Sequence, residues 1–186
     1  EIVHSGEIGE PVQLYQKMSV ELKREKRPPW FLDRRRAGGP ILDLAIHGID
    51  QFEWVSRRKL TEVTAHEGNL SHPEMPHLVD SGAMFFRMEN GGTALMEQNR
   101  LMPDGTGSDY RLRVVGTKGQ VDLRMGGTFW VETRAGRREI APTDLGPAVS
   151  VVENWLDAME RGGENLVSDE ASFRANEISC LAVASA

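Results

Sequence analysis

An α+β domain, built on a large, mainly antiparallel, open-faced sheet with helices on one face, is the fold class the sequence predicts. Three observations carry it. Between residues 60 and 141, short runs suited to strands are separated by tight-turn signals; one strongly periodic helical segment precedes them and two follow; and several strands are apolar on both faces. Short turns between successive strands force antiparallel neighbours. With 186 residues, 39% of them apolar and no low-complexity run, the chain is long enough for one ordinary core, so residues 1–186 are expected to be a single domain.

Taken in order, residues 1–11 read as the tail of a helix stopped by Gly6 and a turn built on Gly9 and Pro11. Residues 12–20 alternate imperfectly, as in a strand with two unlike faces. The next segment, KREKRPPWFLDRRR, carries seven basic side chains against Glu25 and Asp33, and Pro28-Pro29 bars a continuous helix, so a long loop is expected. From 40 to 57, Ile41, Ala45, Ile49 and Phe52 recur at helical spacing. Gly38-Gly39 frees the backbone to turn, and Pro40 suits a first helical position.

Strands are then predicted at 60–67, 80–89, 93–101, 110–115, 120–124, 128–134 and 138–141, with turns at Asn90-Gly91-Gly92, Gly116–Gly119, Gly126-Gly127 and Ala135-Gly136. Helices at 147–161 and 168–185 close the chain, the second with Ser168 as N-cap and Asp169 and Glu170 in its first turn. Trp155, Leu156 and Met159 are expected in the core, as is Cys180. Phe85-Phe86 and Phe129-Trp130 place apolar side chains on both faces of their strands; a second copy covering the open face, or a sheet curling over one core, would each satisfy them.

A net charge of −6 argues against a nucleic-acid partner. No run approaches the roughly 18 apolar residues of a membrane span. The single cysteine excludes an internal disulfide and fits a reducing cytoplasm. Because the sequence begins at Glu1 without an initiator Met, a preceding segment is expected. No metal site is expected: His72 and His77 flank Pro73 and Pro76 in an irregular loop, without a rigid i, i+4 histidine pair.

The chemistry concentrates in GGPILDLAIHGID, residues 38–50. At 100° per residue, Asp43, His47, Asp50 and Trp54 fall within about 60° of one another, away from the Ile41, Ala45, Ile49 and Phe52 stripe. Histidine exchanges protons near neutral pH, and a carboxylate one turn away can fix its tautomer. The spacing equally allows solvated aspartates and a packing histidine.

This segment, with Gly6-Glu7-Ile8-Gly9-Glu10-Pro11 before it and Val114-Val115-Gly116-Thr117-Lys118-Gly119 after it, resembles the C-terminal domain of the Gfo/Idh/MocA oxidoreductase family, the glucose–fructose oxidoreductase and inositol dehydrogenase group. Members carry a G-G-G-x-x-x-D-x-G-x-H-x-x-D segment, from which Pro40 and Ala45 depart. The resemblance implies the substrate-binding and acid–base half of an NAD(P)-dependent oxidoreductase acting on a sugar, polyol or related secondary alcohol. It implies His47 as general base or acid, Asp43 orienting it or contacting the substrate, and a homodimer or homotetramer formed through the open sheet face. NAD or NADP would be held mainly by an N-terminal Rossmann domain, because this sequence has no G-x-G-x-x-G and no counterpart of the family's E-K-P lysine. Asp50, Arg35 and Arg36 are further candidate substrate contacts. The competing reading is a non-catalytic ligand sensor or regulatory protein on the same scaffold.

Overall fold

A computed structural model describes every residue except Ala148. Its centre is one eight-stranded sheet in the order β2-β3-β4-β1-β5-β6-β7-β8. Strand β1 (Pro11–Glu21) lies in the middle, parallel to β4 (Thr93–Met102) and antiparallel to β5 (Asp109–Gly116). It joins two antiparallel meanders. The first is β2 (Leu60–Gly68), β3 (Ser81–Met88) and β4; the second is β5, β6 (Gly119–Arg124), β7 (Phe129–Thr133) and β8 (Gly136–Glu139). The register of β1 shifts near both ends, which accounts for the imperfect alternation of its sequence. The strand-and-turn pattern of the sequence is thus realised, and β8 starts two residues earlier than the sequence suggests because Arg134-Ala135 make the hairpin turn.

Helix α2 (Ile46–Ser56) and helix α4 (Asp169–Ser185) pack on one face of the sheet. Ile41, Ala45, Ile49 and Phe52 meet Leu14, Met84, Phe86 and Met96, with Ala175, Ile178 and Ala182 of α4 closing the layer. Phe52 and Phe86 meet edge to face at 6.3 Å. Each such large side chain, once buried, contributes about 1.5–3 kcal/mol. Glu53 fastens the two helices to the sheet, accepting from Arg174 at 2.7 Å and from the Leu60 N–H at 2.8 Å.

Three expectations are corrected. The basic segment is not an open loop: it winds into 3-10 turns at Arg24–Lys26 and Pro29–Leu32 and a one-turn helix α1 (Arg34–Ala37), because Asp33 caps the Arg35 N–H and Gly38 ends the turn at φ 79°. Cys180 is exposed, since the buried stripe of α4 runs through Ala175, Ile178, Ser179 and Ala182, leaving residue 180 on the other side. Helix α3 (Val151–Arg161) buries nothing: Trp155, Leu156 and Met159 are 48%, 44% and 67% exposed. Its first turn is set by Ser150, which caps the Glu153 N–H, rather than by Pro147; Ala148 lies outside the described residues.

The opposite sheet face carries no helix among the described residues. In register across it run Thr64, Phe85, Leu95 and Tyr15, with Phe85 and Leu95 each 42% exposed. Beside this row, Asp122 binds Arg111 and Arg113, Lys17 binds Asp109, and the Arg137 guanidinium stacks 3.9 Å from the Trp130 ring. Among the described residues no helix is long and apolar enough to cross a membrane.

Candidate active site

The predicted acid–base helix does not wind uniformly. Residues Ile41–Ala45 form a π-turn ahead of α2, and this wider turn rotates the chain less per residue than the α-helix that follows. The constant 100° per residue used to draw the face therefore holds only from Ile46 onward. Gly38 and Gly39, at φ 79° and 73°, make the entry; a Cβ on Gly38 would stand 2.5 Å from Leu42 Cδ1.

Asp43 is engaged by an arginine that the sequence analysis did not single out. Its carboxylate accepts from Arg100 of β4, whose side chain is only 6% exposed. The Arg100 guanidinium lies 4.7 Å from the centre of the Phe31 ring, and that of Arg27 lies 4.4 Å from it. Burial, and then the Arg27 charge, lower the Arg100 pKa to about 10, so it remains a cation at neutral pH. Phe31, Ala37, Gly39, Leu78 and Val79 wall a small recess around the pair. The basic segment thus reaches this site through Phe31 and Arg27.

His47 is exposed, and its ring makes no hydrogen bond with any described residue, Asp43 included. Asp50 is exposed farther along α2, in a groove with Glu53, Trp54, Lys59 and Leu166 that Asp43 does not share. Partial desolvation, then repulsion from Glu53, raises its pKa, and His47 opposes the shift. Arg35 is committed to Asp33 at 2.8 Å, and Arg36 is exposed on α1; neither lines the recess around Asp43.

Beneath Gly48 lies a buried amide network. Gln98 Nε2 donates to Gln16 Oε1 at 2.7 Å, Gln16 Nε2 donates to Gln51 Oε1 at 3.0 Å, and the Tyr110 hydroxyl donates to the same Gln51 oxygen. It joins β4, β1 and β5 to α2. Gly48 admits it: a Cβ there would stand 2.0 Å from Gln16 Oε1. The signal for these residues was in the alternation, where Gln16 follows Leu14, and Gln98 and Arg100 follow Met96, in slots that face the helices.

Among the described residues no three His, Cys, Asp or Glu side chains converge on a point that would hold a metal ion. Gly91 and Gly126 take positive φ in turns between antiparallel strands, with no helix N-terminus behind them.

Residues 1–122 match the family profile described as the GFO/IDH/MocA C-terminal domain. The chain belongs to that family. It is 33% identical over 120 residues to the uncharacterized oxidoreductase YrbE of Bacillus subtilis, a match covering 63% of this chain and 33% of that protein. The scyllo-inositol 2-dehydrogenase (NAD(+)) of the same organism is 28% identical over 121 residues, again covering 64% and 33%. A provisionally described oxidoreductase from Thermotoga maritima superposes on the whole chain with a TM-score of 0.91 at 28% identity, and this chain covers 55% of it. The matches therefore span about a third of the curated relatives and about half of that solved chain. The open sheet with helices on one face is the C-terminal architecture of oxidoreductases of this family, and inositol dehydrogenases are among the relatives.

Proposed function

We propose that this chain is the substrate-binding and acid–base half of an NAD(P)-dependent oxidoreductase acting on a sugar, polyol or related secondary alcohol. The observation that carries the proposal is an exposed, unbonded imidazole, His47, one helical turn from a carboxylate, Asp43, that a buried arginine holds in place, on a domain of this family. The inositol dehydrogenases among the relatives favour a polyol.

In oxidation, His47 would take the proton of the substrate hydroxyl while the hydride of the same carbon would pass to a bound NAD or NADP; in reduction it would return that proton. Asp43 contacts a substrate hydroxyl. Asp50, Arg35 and Arg36 are exposed around α1 and α2, where they can meet the more distant parts of a ligand. NAD or NADP belongs to a Rossmann domain outside these residues. The uncovered apolar faces of α3 and α4, with Trp155, Met159 and Phe173 exposed, suit contact with such a domain. The Phe85–Leu95–Tyr15 row suits a homodimer or homotetramer formed across the open sheet face. The cytoplasm is the compartment this reading assigns.

Formation of reduced nicotinamide by the complete enzyme, screened over sugars and polyols with NAD+ and NADP+, tests the proposal. Turnover of a secondary alcohol is expected, while the 186-residue chain alone should not bind the dinucleotide in a calorimetric titration. Micromolar binding of NAD+ to the chain alone contradicts the division of labour, and ligand binding without turnover favours a sensor.

A further inference from the structure

We infer that Arg100, seated on the Phe31 ring, is a positioning residue that holds Asp43 as a fixed, ionised acceptor for a substrate hydroxyl, so that the carboxylate serves the substrate directly instead of orienting His47. This rests on the polyol reading above.

Asp43 leaves the π-turn toward β4, where its carboxylate meets Arg100, while the His47 ring has no hydrogen bond to it. Arg100 is not free to follow another partner. Its backbone N–H donates to the Asp80 carbonyl at 2.8 Å, its side chain is 6% exposed, and one face of its guanidinium is covered by Phe31. Phe31 is itself packed against the small core of Leu22, Met75 and Leu78. A planar cation so enclosed fixes the direction of the carboxylate it binds, which a lysine in its place would do less well. Asp43 keeps 38% of its side chain exposed, so part of the carboxylate stays open on the outer side of the pair. A carboxylate occupied on one side by a buried arginine and open on the other accepts an O–H with little reorganisation, which suits a polyol.

The arrangement also gives the basic segment its part in the site. Phe31 supplies the surface on which Arg100 rests, and Arg27 packs against the same ring. Arg27 thus brings a second guanidinium to the ring on which Arg100 rests.

Two measurements test the inference. In the 186-residue chain, a double-mutant cycle of urea unfolding pairs Asp43→Asn with Arg100→Gln, and separately with His47→Gln. The first pair should be coupled by about tenfold in the unfolding constant and the second by less than about twofold. If Arg100→Gln does not fold, Arg100→Lys takes its place in the cycle. Stronger coupling to His47 than to Arg100 overturns the inference whether or not the protein is an enzyme. In the complete enzyme, Arg100→Lys should raise KM for the polyol by about tenfold or more with a smaller change in kcat, the pattern of lost ground-state binding. Unchanged KM in a folded Arg100→Lys enzyme also overturns it. A wild-type enzyme that turns over no polyol instead refutes the functional reading, and the coupling then decides by itself whether Arg100 holds Asp43.

Discussion

Gly48→Ala reads out the fit between helix α2 and the sheet. The added methyl would stand 2.0 Å from Gln16 Oε1, 2.6 Å from Gln16 Cδ and 2.7 Å from Met96 Cε. Met96 ends in a flexible thioether and can yield. Gln16 cannot yield cheaply, because it is fully buried and its amide is bonded at both ends, to Gln98 and to Gln51. Overpacking costs about 1–3 kcal/mol, and displacing the Gln16 amide from a partner about 1–3 kcal/mol more. Alanine's better helix propensity returns about 1 kcal/mol. The net loss is about 3 kcal/mol, which in a chain of this size lowers the melting temperature by about 6–12 °C. Calorimetric melting of the variant against wild type is the assay. Gln16→Ala in the same background should cost less than the sum of the two single changes, since each relieves the other's clash. A Gly48→Ala protein that melts at or above wild type would show that the close approach of α2 to Gln16 is not what the geometry says it is.

Two more outcomes follow from other parts of the structure. Burial works against the charge of Asp80, yet hydrogen bonds from the Leu70 N–H, His72 and the Ser71 N–H outweigh it, and its carboxyl stays below the usual range. Its stabilisation is then full above the unfolded value of about 4 and is lost as pH falls through the lower folded value. Asp80→Asn should lower the urea midpoint at pH 7 and flatten its fall below pH 4, and an unchanged acid slope would count against the assignment. Phe85→Asp places a charge in the apolar row of the open face, and light scattering should show a dimer or tetramer reduced to monomer; a wild-type chain that is monomeric at high micromolar concentration contradicts the proposed association.

Much of the fold was legible because its signals are local. The turns at Gly91-Gly92, Gly126-Gly127 and Ala135 and the alternation between them give the strands within a residue or two. The π-turn was not legible, since Ile41–Ala45 carries residues that suit an ordinary helix. Asp43 is found with Arg100 on β4, a contact with the sheet that no helical periodicity specifies. Periodicity also misled at α3: Val152, Trp155, Leu156 and Met159 make an apolar stripe, but a stripe states only that cover is wanted, and no described part of this chain supplies it. The parallel pairing of β1 with β4 joins strands some 80 residues apart in sequence, where no turn signal can specify it.

The turnover of His47→Ala in the complete enzyme, measured beside its melting temperature and its affinity for the dinucleotide, tests the central claim most directly. If His47 moves the proton of the substrate hydroxyl, kcat should fall by about 10²–10⁴. Dinucleotide affinity should be unchanged, and the melting temperature nearly so, because the ring is exposed and makes no hydrogen bond to the described residues. A folded His47→Ala enzyme with wild-type kcat would contradict the assignment of this helix as the acid–base element.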